Sequence, residues 1–211
     1  MTKDELARLA ELGVATLYEA AGREGLVDAP LVQLLPGSRA AGPARTVLCG
    51  QGDNLMVHAV IERIQPGDVL VLTMPEPEPV ALIGELLATQ VKVRGAAGIL
   101  VDAACRDVEE LVKLGLPIWT RHVRVRGASK TQMGGLDVAV TVGGARITPG
   151  DVVVLDADGG VCIKRERVEQ VLAAAEARRE REARLREQLV AGELSYDLHR
   201  LREYVERNRT P

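Results

Sequence analysis

A chain of 211 residues is long enough to bury one sizeable core. Its 46% apolar and 27% charged residues are typical of a globular protein rather than a disordered one, and its formal net charge of -3 argues against a general nucleic-acid-binding protein. Aromatic residues make up only 2% and phenylalanine is absent, so the core must consist of Val, Leu, Ile and Ala side chains.

The three cysteines, Cys49, Cys105 and Cys162, are far apart and form no C-x-x-C motif. This spacing argues against a zinc site and against a disulfide framework, and it favours small buried side chains in a reducing compartment. No apolar run reaches the roughly 18 residues of a membrane span, and the first residues lack an apolar signal segment. The sequence therefore predicts a cytosolic protein with no membrane partner.

The first half of the chain predicts alternating helices and strands. Thr2 and Glu5 have the spacing of a capping box, which predicts a helix over residues 3–21 that is interrupted near Gly13. The three prolines of residues 75–79 exclude regular structure there. Further predicted elements are strands at 38–50, 69–72 and 98–101, and helices ending at 61 and covering 85–94 and 107–114.

The second half adds strands at 138–142, 151–155 and 161–163, so the whole pattern indicates an α/β core. A long charged helix from Val168 to about Val190 and a second helix over residues 195–207 are predicted to follow. We therefore expect a core domain over residues 1–166 and a helical arm over residues 167–211. The arm is expected to pack on a neighbouring subunit, and a solvated helix is the alternative.

The most informative segment runs from Gly84 to Asp107. Arg106 and Asp107 lie beyond the carboxyl end of the strand predicted at 98–101, and ligands bind beyond the carboxyl ends of strands in α/β sheets. Gly84 leaves the first N–H groups of the next helix open to a carboxylate. Two other interpretations of the Arg-Asp pair remain open at this point, because such pairs are often surface salt bridges and Asp107 can also cap the following helix.

This segment resembles the RraA-like family, and in particular its class II pyruvate aldolases of aromatic catabolism. These aldolases cleave 4-hydroxy-4-methyl-2-oxoglutarate and 4-carboxy-4-hydroxy-2-oxoadipate. They carry an Asp followed by twenty residues and then Arg-Asp, whereas here Glu85 takes the place of the first acid. The resemblance rests on residues 51–54, 66–70, 84–89, 94–98, 106–107 and 149–151, and, for the C-terminal arm of the aldolases, on residues 191–194, 197 and 201–203.

The resemblance implies an α/β, RraA-like layered β/β/α fold with a C-terminal helical arm. It also implies trimers, or hexamers of two trimers, with sites between subunits. Asp107 would bind Mg²⁺ or Mn²⁺, and the metal together with Arg106 would stabilise the negative charge of a pyruvate enolate. The backbone N–H groups of Leu86 and Leu87 would bind the pyruvate carboxylate.

Two acidic residues receive roles from the same resemblance. Glu85 would orient or deprotonate a water that acts as the base, but its extra methylene displaces the carboxylate by roughly 1 Å relative to an Asp, which puts this role in question. Glu182 would reach into the site of a neighbouring subunit. The alternative for Glu182 is an ion pair on the helix surface with Arg178 or Arg186.

The implied reaction is retro-aldol cleavage of a 4-hydroxy-2-oxo diacid into pyruvate and a second 2-oxo acid, with oxaloacetate decarboxylation as a side reaction. Apart from further copies of the same chain, the protein's only expected partner is this small-molecule 2-oxo acid substrate. Two alternatives stay open: a non-catalytic RraA-like regulator of ribonuclease E, and an RraA-like enzyme that acts on another 2-oxo acid.

Overall fold

The computed structural model describes residues 1–208. It divides into a first compact unit, Met1–Ala175, and a second unit that begins at Glu176. The first unit thus extends into the long helix that the sequence assigned to the arm. No helix within residues 1–208 combines the length and the hydropathy that crossing a membrane requires.

The elements of the first unit follow one another in a mostly alternating order. The helices are α1 (Lys3–Leu12), α2 (Val14–Ala20), α3 (Leu55–Val60), α4 (Glu85–Val93), α5 (Val108–Leu114) and the start of α6 (Val168–Val190). The strands are β1 (Val32–Gln33), β2 (Ala40–Leu48), β3 (Val69–Thr73), β4 (Ala81–Ile83), β5 (Gly98–Cys105), β6 (Ile118–Val123), β7 (Gly135–Leu136), β8 (Val140–Val142), β9 (Ala145–Ile147), β10 (Val152–Asp156) and β11 (Gly159–Ile163). Short 3₁₀ turns lie at Ile61–Arg63 and Arg165–Arg167.

The main sheet has the strand order β1-β6-β5-β3-β2-β10-β11, with β4 beside β5 and β7 beside β2. Strands β2, β3, β5 and β6 are parallel, and β4 is parallel to β5. Strands β10 and β11 continue the sheet in antiparallel pairing. Because parallel strands end at the same edge, the loops that follow β4, β5 and β6 come together there.

Strands β3 and β5 are buried at every position, since both faces of the sheet are covered. On one face, Leu72 and Val101 belong to a core that also contains Leu87 of α4. On the other face, Val71 and Leu100 share a core with the β8–β9 hairpin. A third core packs α1, α2 and the start of α6 against β10 and β11. The predicted α/β class and layered fold are confirmed.

Several local predictions are also confirmed. Thr2 and Glu5 form the capping box, with Glu5 N–H donating to Thr2 Oγ1 at 3.2 Å and Thr2 N–H donating to Glu5 Oε2 at 2.6 Å. Gly13 separates α1 from α2. The predicted helix over residues 195–207 is wrong in one respect, because it is two helices, α7 (Ser195–Leu198) and α8 (Leu201–Arg207). Arg200 between them adopts left-handed backbone with φ 56°, which interrupts the helical repeat.

Candidate active site

Arg106 and Asp107 begin the loop that leaves the carboxyl end of β5. The N–H of Arg106 donates to the carbonyl oxygen of Ile83 at 3.2 Å, which holds the loop beside the end of β4. Asp107 has left-handed backbone (φ 61°, ψ 43°) and makes no side-chain capping bond to α5. Instead its Oδ2 accepts the N–H of Glu85, the first residue of α4, at 3.1 Å. The carboxylate therefore points towards the neighbouring helix rather than its own, which does not support the capping interpretation.

Gly84 allows this close approach of the loop to α4. A Cβ at position 84 would lie 2.3 Å from Asp107 Oδ2 and 3.2 Å from Arg106 Cγ. Its φ of -139° is ordinary extended backbone, so the requirement for glycine comes from space and not from conformation. Any larger residue at this position would displace the carboxylate of Asp107.

The N-terminus of α4 offers backbone donors to the same place. The first i→i−4 bond of the helix runs from Ala88 N–H to the Gly84 carbonyl oxygen at 3.0 Å. The preceding N–H groups of Leu86 and Leu87 are therefore not used by the helix, and they carry its partial positive charge. Leu86 is exposed and Leu87 is buried. Such donors suit a carboxylate ligand.

A cleft of about 200 Å³ brings these groups together. Arg106 and Asp107 are each about half exposed, with Arg106 Nε 3.8 Å from Asp107 Oδ2. The opposite wall is the loop that follows β6, where a Cβ at Gly127 would lie 2.8 Å from Arg106 Nη1. The lining residues are Asn54, His58, Ala81, Ile83, Gly84, Leu86, Leu87, Arg106, Asp107, Gly127, Ala128 and Lys130.

Asn54 places an unpaired hydrogen-bond acceptor beside this cleft. Its side chain is buried, and Nδ2 donates to the carbonyl oxygen of Leu82 at 3.0 Å. Among residues 1–208, Asn54 Oδ1 is the one buried side-chain oxygen or nitrogen without a hydrogen-bond partner. An unpaired buried acceptor costs about 1–3 kcal/mol, and a ligand that donates a hydrogen bond to it would recover that energy.

The donor set also allows a test of the implied metal. Within the described part of the chain, no group of three or more His, Cys, Asp or Glu side chains could hold a metal ion. A cation here would have Asp107 as its protein ligand and take its other oxygens from water and substrate. Mg²⁺ and Mn²⁺ fit this arrangement, since Mg²⁺ commonly binds one or two carboxylates and keeps several waters. A site with all its ligands from the protein does not fit.

Neither of the two predicted catalytic acids is among the residues that line the cleft. The Glu85 side chain accepts a hydrogen bond from Thr89 Oγ1 at 3.1 Å, one turn along α4, and it does not line the cleft. Glu182 belongs to the second unit, where its Oε1 lies 2.7 Å from Arg178 Nε. The ion-pair alternative is thus present in the structure, and the roles of both acids in catalysis stay predictions.

Sequence reasoning did not assign three residues of the cleft. Asn54, His58 and Lys130 received no role individually, although Asn54 lies within the residues 51–54 on which the resemblance rests. Asn54 and His58 are four residues apart at the start of α3, so one helical turn places both at the cleft. Lys130 enters from a loop that lies 23 residues after Asp107, and no local pattern indicates this contact.

Comparison with known proteins finds relatives of this chain. A protein of Halalkalibacterium halodurans, named "Putative 4-hydroxy-4-methyl-2-oxoglutarate aldolase", is 38% identical over 134 residues, which make up 64% of each chain. This chain therefore matches less than two thirds of that relative's length. The name of the Halalkalibacterium protein describes that protein and not this chain.

Two solved structures share the fold. RraAS2 of Streptomyces coelicolor, described as an unusual member of the RNase ES inhibitor RraA protein family, has a TM-score of 0.77 at 29% identity, over 88% of this chain and 97% of its own. An uncharacterized protein from Pseudomonas syringae pv. tomato has a TM-score of 0.81 at 23% identity, over 92% of this chain and 96% of its own, and it shows the fold alone. The family signature described as RraA-like (Aldolase/RraA) matches residues 14–162. Because this match covers well over half of the sequence, the chain belongs to the RraA-like family, as the sequence predicted.

Proposed function

We propose that this protein is a divalent-metal-dependent aldolase that cleaves a 4-hydroxy-2-oxo diacid and releases pyruvate. One observation carries the proposal. The Asp107 carboxylate and the Arg106 guanidinium stand side by side in a cleft, against the open N-terminus of α4. This arrangement offers a cation ligand, a fork of charged donors and backbone N–H groups to one small anionic molecule.

The pyruvate half of the substrate fits the α4 side of the cleft. Its carboxylate would accept hydrogen bonds from the N–H groups of Leu86 and Leu87. Its keto oxygen would accept hydrogen bonds from Arg106, whose guanidinium would stabilise the negative charge that develops during cleavage. A cation held by Asp107 would supply Lewis-acid stabilisation of that same charge.

The other half of the substrate fits the wall formed by Asn54 and Lys130. Lys130 adds a second positive charge to a cleft that already contains Arg106, which favours a substrate with two carboxylates. Asn54 Oδ1 is an acceptor without a hydrogen-bond partner, and the hydroxyl of a 4-hydroxy acid could donate a hydrogen bond to it. These two residues support a hydroxylated diacid over a simple 2-oxo monoacid.

The chemistry needs one proton acceptor. The 4-hydroxyl gives its proton to the base and becomes the carbonyl of the second 2-oxo acid, the C3–C4 bond breaks with its electron pair passing into the pyruvate enolate, and the protonated base returns the proton to C3 to give pyruvate. Glu85 is the proposed base, directly or through a water. To reach the substrate its side chain must leave Thr89, with which it shares a hydrogen bond. Replacing Glu85 by Gln should therefore lower kcat far more than it raises KM.

The test is pyruvate release by the purified full chain, measured with Mg²⁺ or Mn²⁺ and each of three substrates. These are 4-hydroxy-4-methyl-2-oxoglutarate, 4-carboxy-4-hydroxy-2-oxoadipate and oxaloacetate. We expect metal-dependent turnover that Arg106→Ala abolishes. Arg146→Ala is the matched control, because Arg146 is exposed and does not line the cleft. Absence of metal-dependent turnover of all three substrates, or full activity of Arg106→Ala, would contradict the proposal.

A second candidate is a non-catalytic regulator of ribonuclease E. The likeness to RraAS2 at 29% identity over 88% of this chain favours it. Co-purification of this chain with a ribonuclease E, together with no measurable binding of Mn²⁺, would support the regulator over the aldolase. An RraA-like enzyme for another 2-oxo acid would instead bind Mn²⁺ and release no pyruvate from the three substrates.

We further propose that the chain forms homotrimers, alone or paired as hexamers. None of residues 176–208 is buried within the chain. A helical segment of this kind gains little stability without tertiary packing. Leu201, Tyr204 and Val205 form an exposed apolar stripe at spacings of three and four residues on α8. Light scattering of the purified chain should give the mass of three or six copies, and a monomer would contradict this assembly.

A further inference from the structure

Asp53 is wholly buried, and its carboxylate joins two segments that are distant in the sequence. Oδ1 accepts the N–H of Leu55 at the start of α3 at 2.8 Å. Oδ2 accepts four hydrogen bonds from the loop after β6: from Ser129 Oγ at 2.6 Å, from Thr131 N–H at 2.6 Å, from Gln132 N–H at 3.1 Å and, most weakly, from Thr131 Oγ1 at 3.5 Å. One carboxylate therefore fixes the loop to the beginning of a helix.

The bonds to Asp53 lie on both sides of Lys130. Ser129 precedes that lysine and Thr131 follows it, so the backbone of Lys130 is held at both flanks by the same carboxylate. Backbone bonds support the arrangement, with Asn54 N–H donating to Ser129 O at 2.9 Å and Ser129 N–H donating to Gly52 O at 3.0 Å. The position of Lys130 relative to the cleft thus depends on Asp53.

The same loop also forms the wall beside Arg106. Gly127 lies so close to the guanidinium that a Cβ there would be 2.8 Å from Arg106 Nη1. The loop is attached again at Arg126, whose carbonyl oxygen accepts the N–H of Ala81 at 2.7 Å. Because this second attachment does not involve Asp53, loss of the Asp53 bonds should loosen residues 130–132 of the loop and leave the Arg106 side of the cleft in place.

We infer that Asp53 is a positioning residue that holds Lys130 where it can bind the distal carboxylate of the substrate, without touching the substrate itself. This inference rests on the proposed aldolase function. It places the recognition of the second carboxylate under the control of a side chain outside the cleft. A buried carboxylate with a purely structural role would affect stability and would not affect the two ends of the substrate differently.

Asp53→Asn tests the inference, because the amide turns one acceptor oxygen into an N–H₂ donor that faces other donors or leaves Leu55 N–H unpaired. We expect KM for a diacid substrate to rise about tenfold, the size of effect that loss of one charged contact produces, with kcat nearly unchanged. Inhibition by oxalate, a small pyruvate-enolate analogue that needs only the Arg106 and Asp107 side, should stay the same.

Asp156→Asn is the matched control. Asp156 is also buried, and its carboxylate accepts backbone N–H groups from Val14 and Asp158, both at 2.8 Å, but it does not line the cleft. This variant should lose stability without a change in KM. Ser129→Ala removes a single bond to Asp53, and a rise of about two- to threefold in KM is expected from it if Asp53→Asn fails to fold.

A double-mutant cycle identifies the route of the effect. If Asp53 acts through Lys130, Asp53→Asn should raise KM no further in a Lys130→Ala background. Unchanged KM in an active Asp53→Asn or Ser129→Ala protein, or additive rises in the cycle, would overturn the positioning role alone. Absence of turnover in the wild type would instead overturn the proposed function on which the inference rests.

Discussion

Gly84 is the position where one added methyl group should do the most damage to catalysis. In Gly84→Ala the new Cβ would stand 2.3 Å from Asp107 Oδ2, whereas ordinary van der Waals contact begins near 3.4 Å. The carboxylate of Asp107 must therefore move by roughly 1 Å, and the hydrogen bond that it accepts from Glu85 N–H must lengthen or break. The backbone of position 84 is not strained by alanine, so this displacement is the principal effect.

A misplacement of roughly 1 Å in an active site lowers the rate about a hundredfold, which corresponds to about 2.7 kcal/mol of lost transition-state stabilisation. The assay is steady-state pyruvate release with saturating Mg²⁺. We expect kcat/KM of Gly84→Ala to fall by about that factor, with the melting temperature changed by only a few degrees.

Gly115→Ala is the control for a glycine substitution that lowers the stability of the protein without changing the cleft. Gly115 ends α5 with φ 70°, and a Cβ there would meet no atom within 4 Å, so alanine strains the backbone without touching the cleft. It should lower the melting temperature and leave kcat/KM unchanged. Wild-type kcat/KM in Gly84→Ala would refute the placement of the Asp107 carboxylate at the reacting centre.

Three further predictions concern charge. Arg106→Lys keeps the charge but loses the planar fork, so kcat should fall at least tenfold, and wild-type kcat in a steady-state assay would contradict this. Lys130→Ala should raise KM for diacids about tenfold and leave inhibition by oxalate unchanged. Equal weakening of diacid binding and oxalate inhibition would contradict the binding of the distal carboxylate by Lys130. Burial raises the pKa of Asp137, but hydrogen-bonded ion pairs with Arg45 and Arg63 outweigh this effect and hold the pKa below its ordinary value. The stability that these ion pairs add is present above about pH 4 and is lost as the pH falls further. In urea denaturation, the free energy of unfolding should therefore decrease less on acidification in Asp137→Asn than in the wild type; an equal decrease in both would contradict this.

The sequence predicts the central part of the cleft because that part is local. Arg106 and Asp107 are adjacent, they follow a mostly apolar strand, and the end of such a strand is the expected place for a ligand. Gly84 also stands out in the sequence, as the residue before a helix. The structure adds that Gly84 gives the carboxylate of Asp107 room, which depends on the contact between β4 and β5 and has no signature within either strand.

The opposite wall depends on contacts between distant segments. Asp53 and Ser129 are joined by a hydrogen bond across 76 residues, and neither lies in a periodic pattern that would bring them together. Strand β6 was missed for a related reason, since Arg121 interrupts its apolar residues. In the structure that arginine forms an ion pair with Asp102, which is buried on the neighbouring strand. A charged residue taken alone predicts an exposed position, whereas the ion pair with Asp102 accommodates Arg121 within the strand.

The most direct test of the proposed function is the exchange of the methyl protons of pyruvate in D₂O, followed by proton NMR with Mg²⁺ and the purified full chain. Retro-aldol cleavage and methyl exchange pass through the same enolate, so this measurement does not depend on the distal group of the substrate. The wild-type protein should remove the methyl signal, and Arg106→Ala should not. A methyl signal that persists with the wild-type protein, or one that disappears equally fast with Arg106→Ala, would contradict enolate chemistry at this cleft.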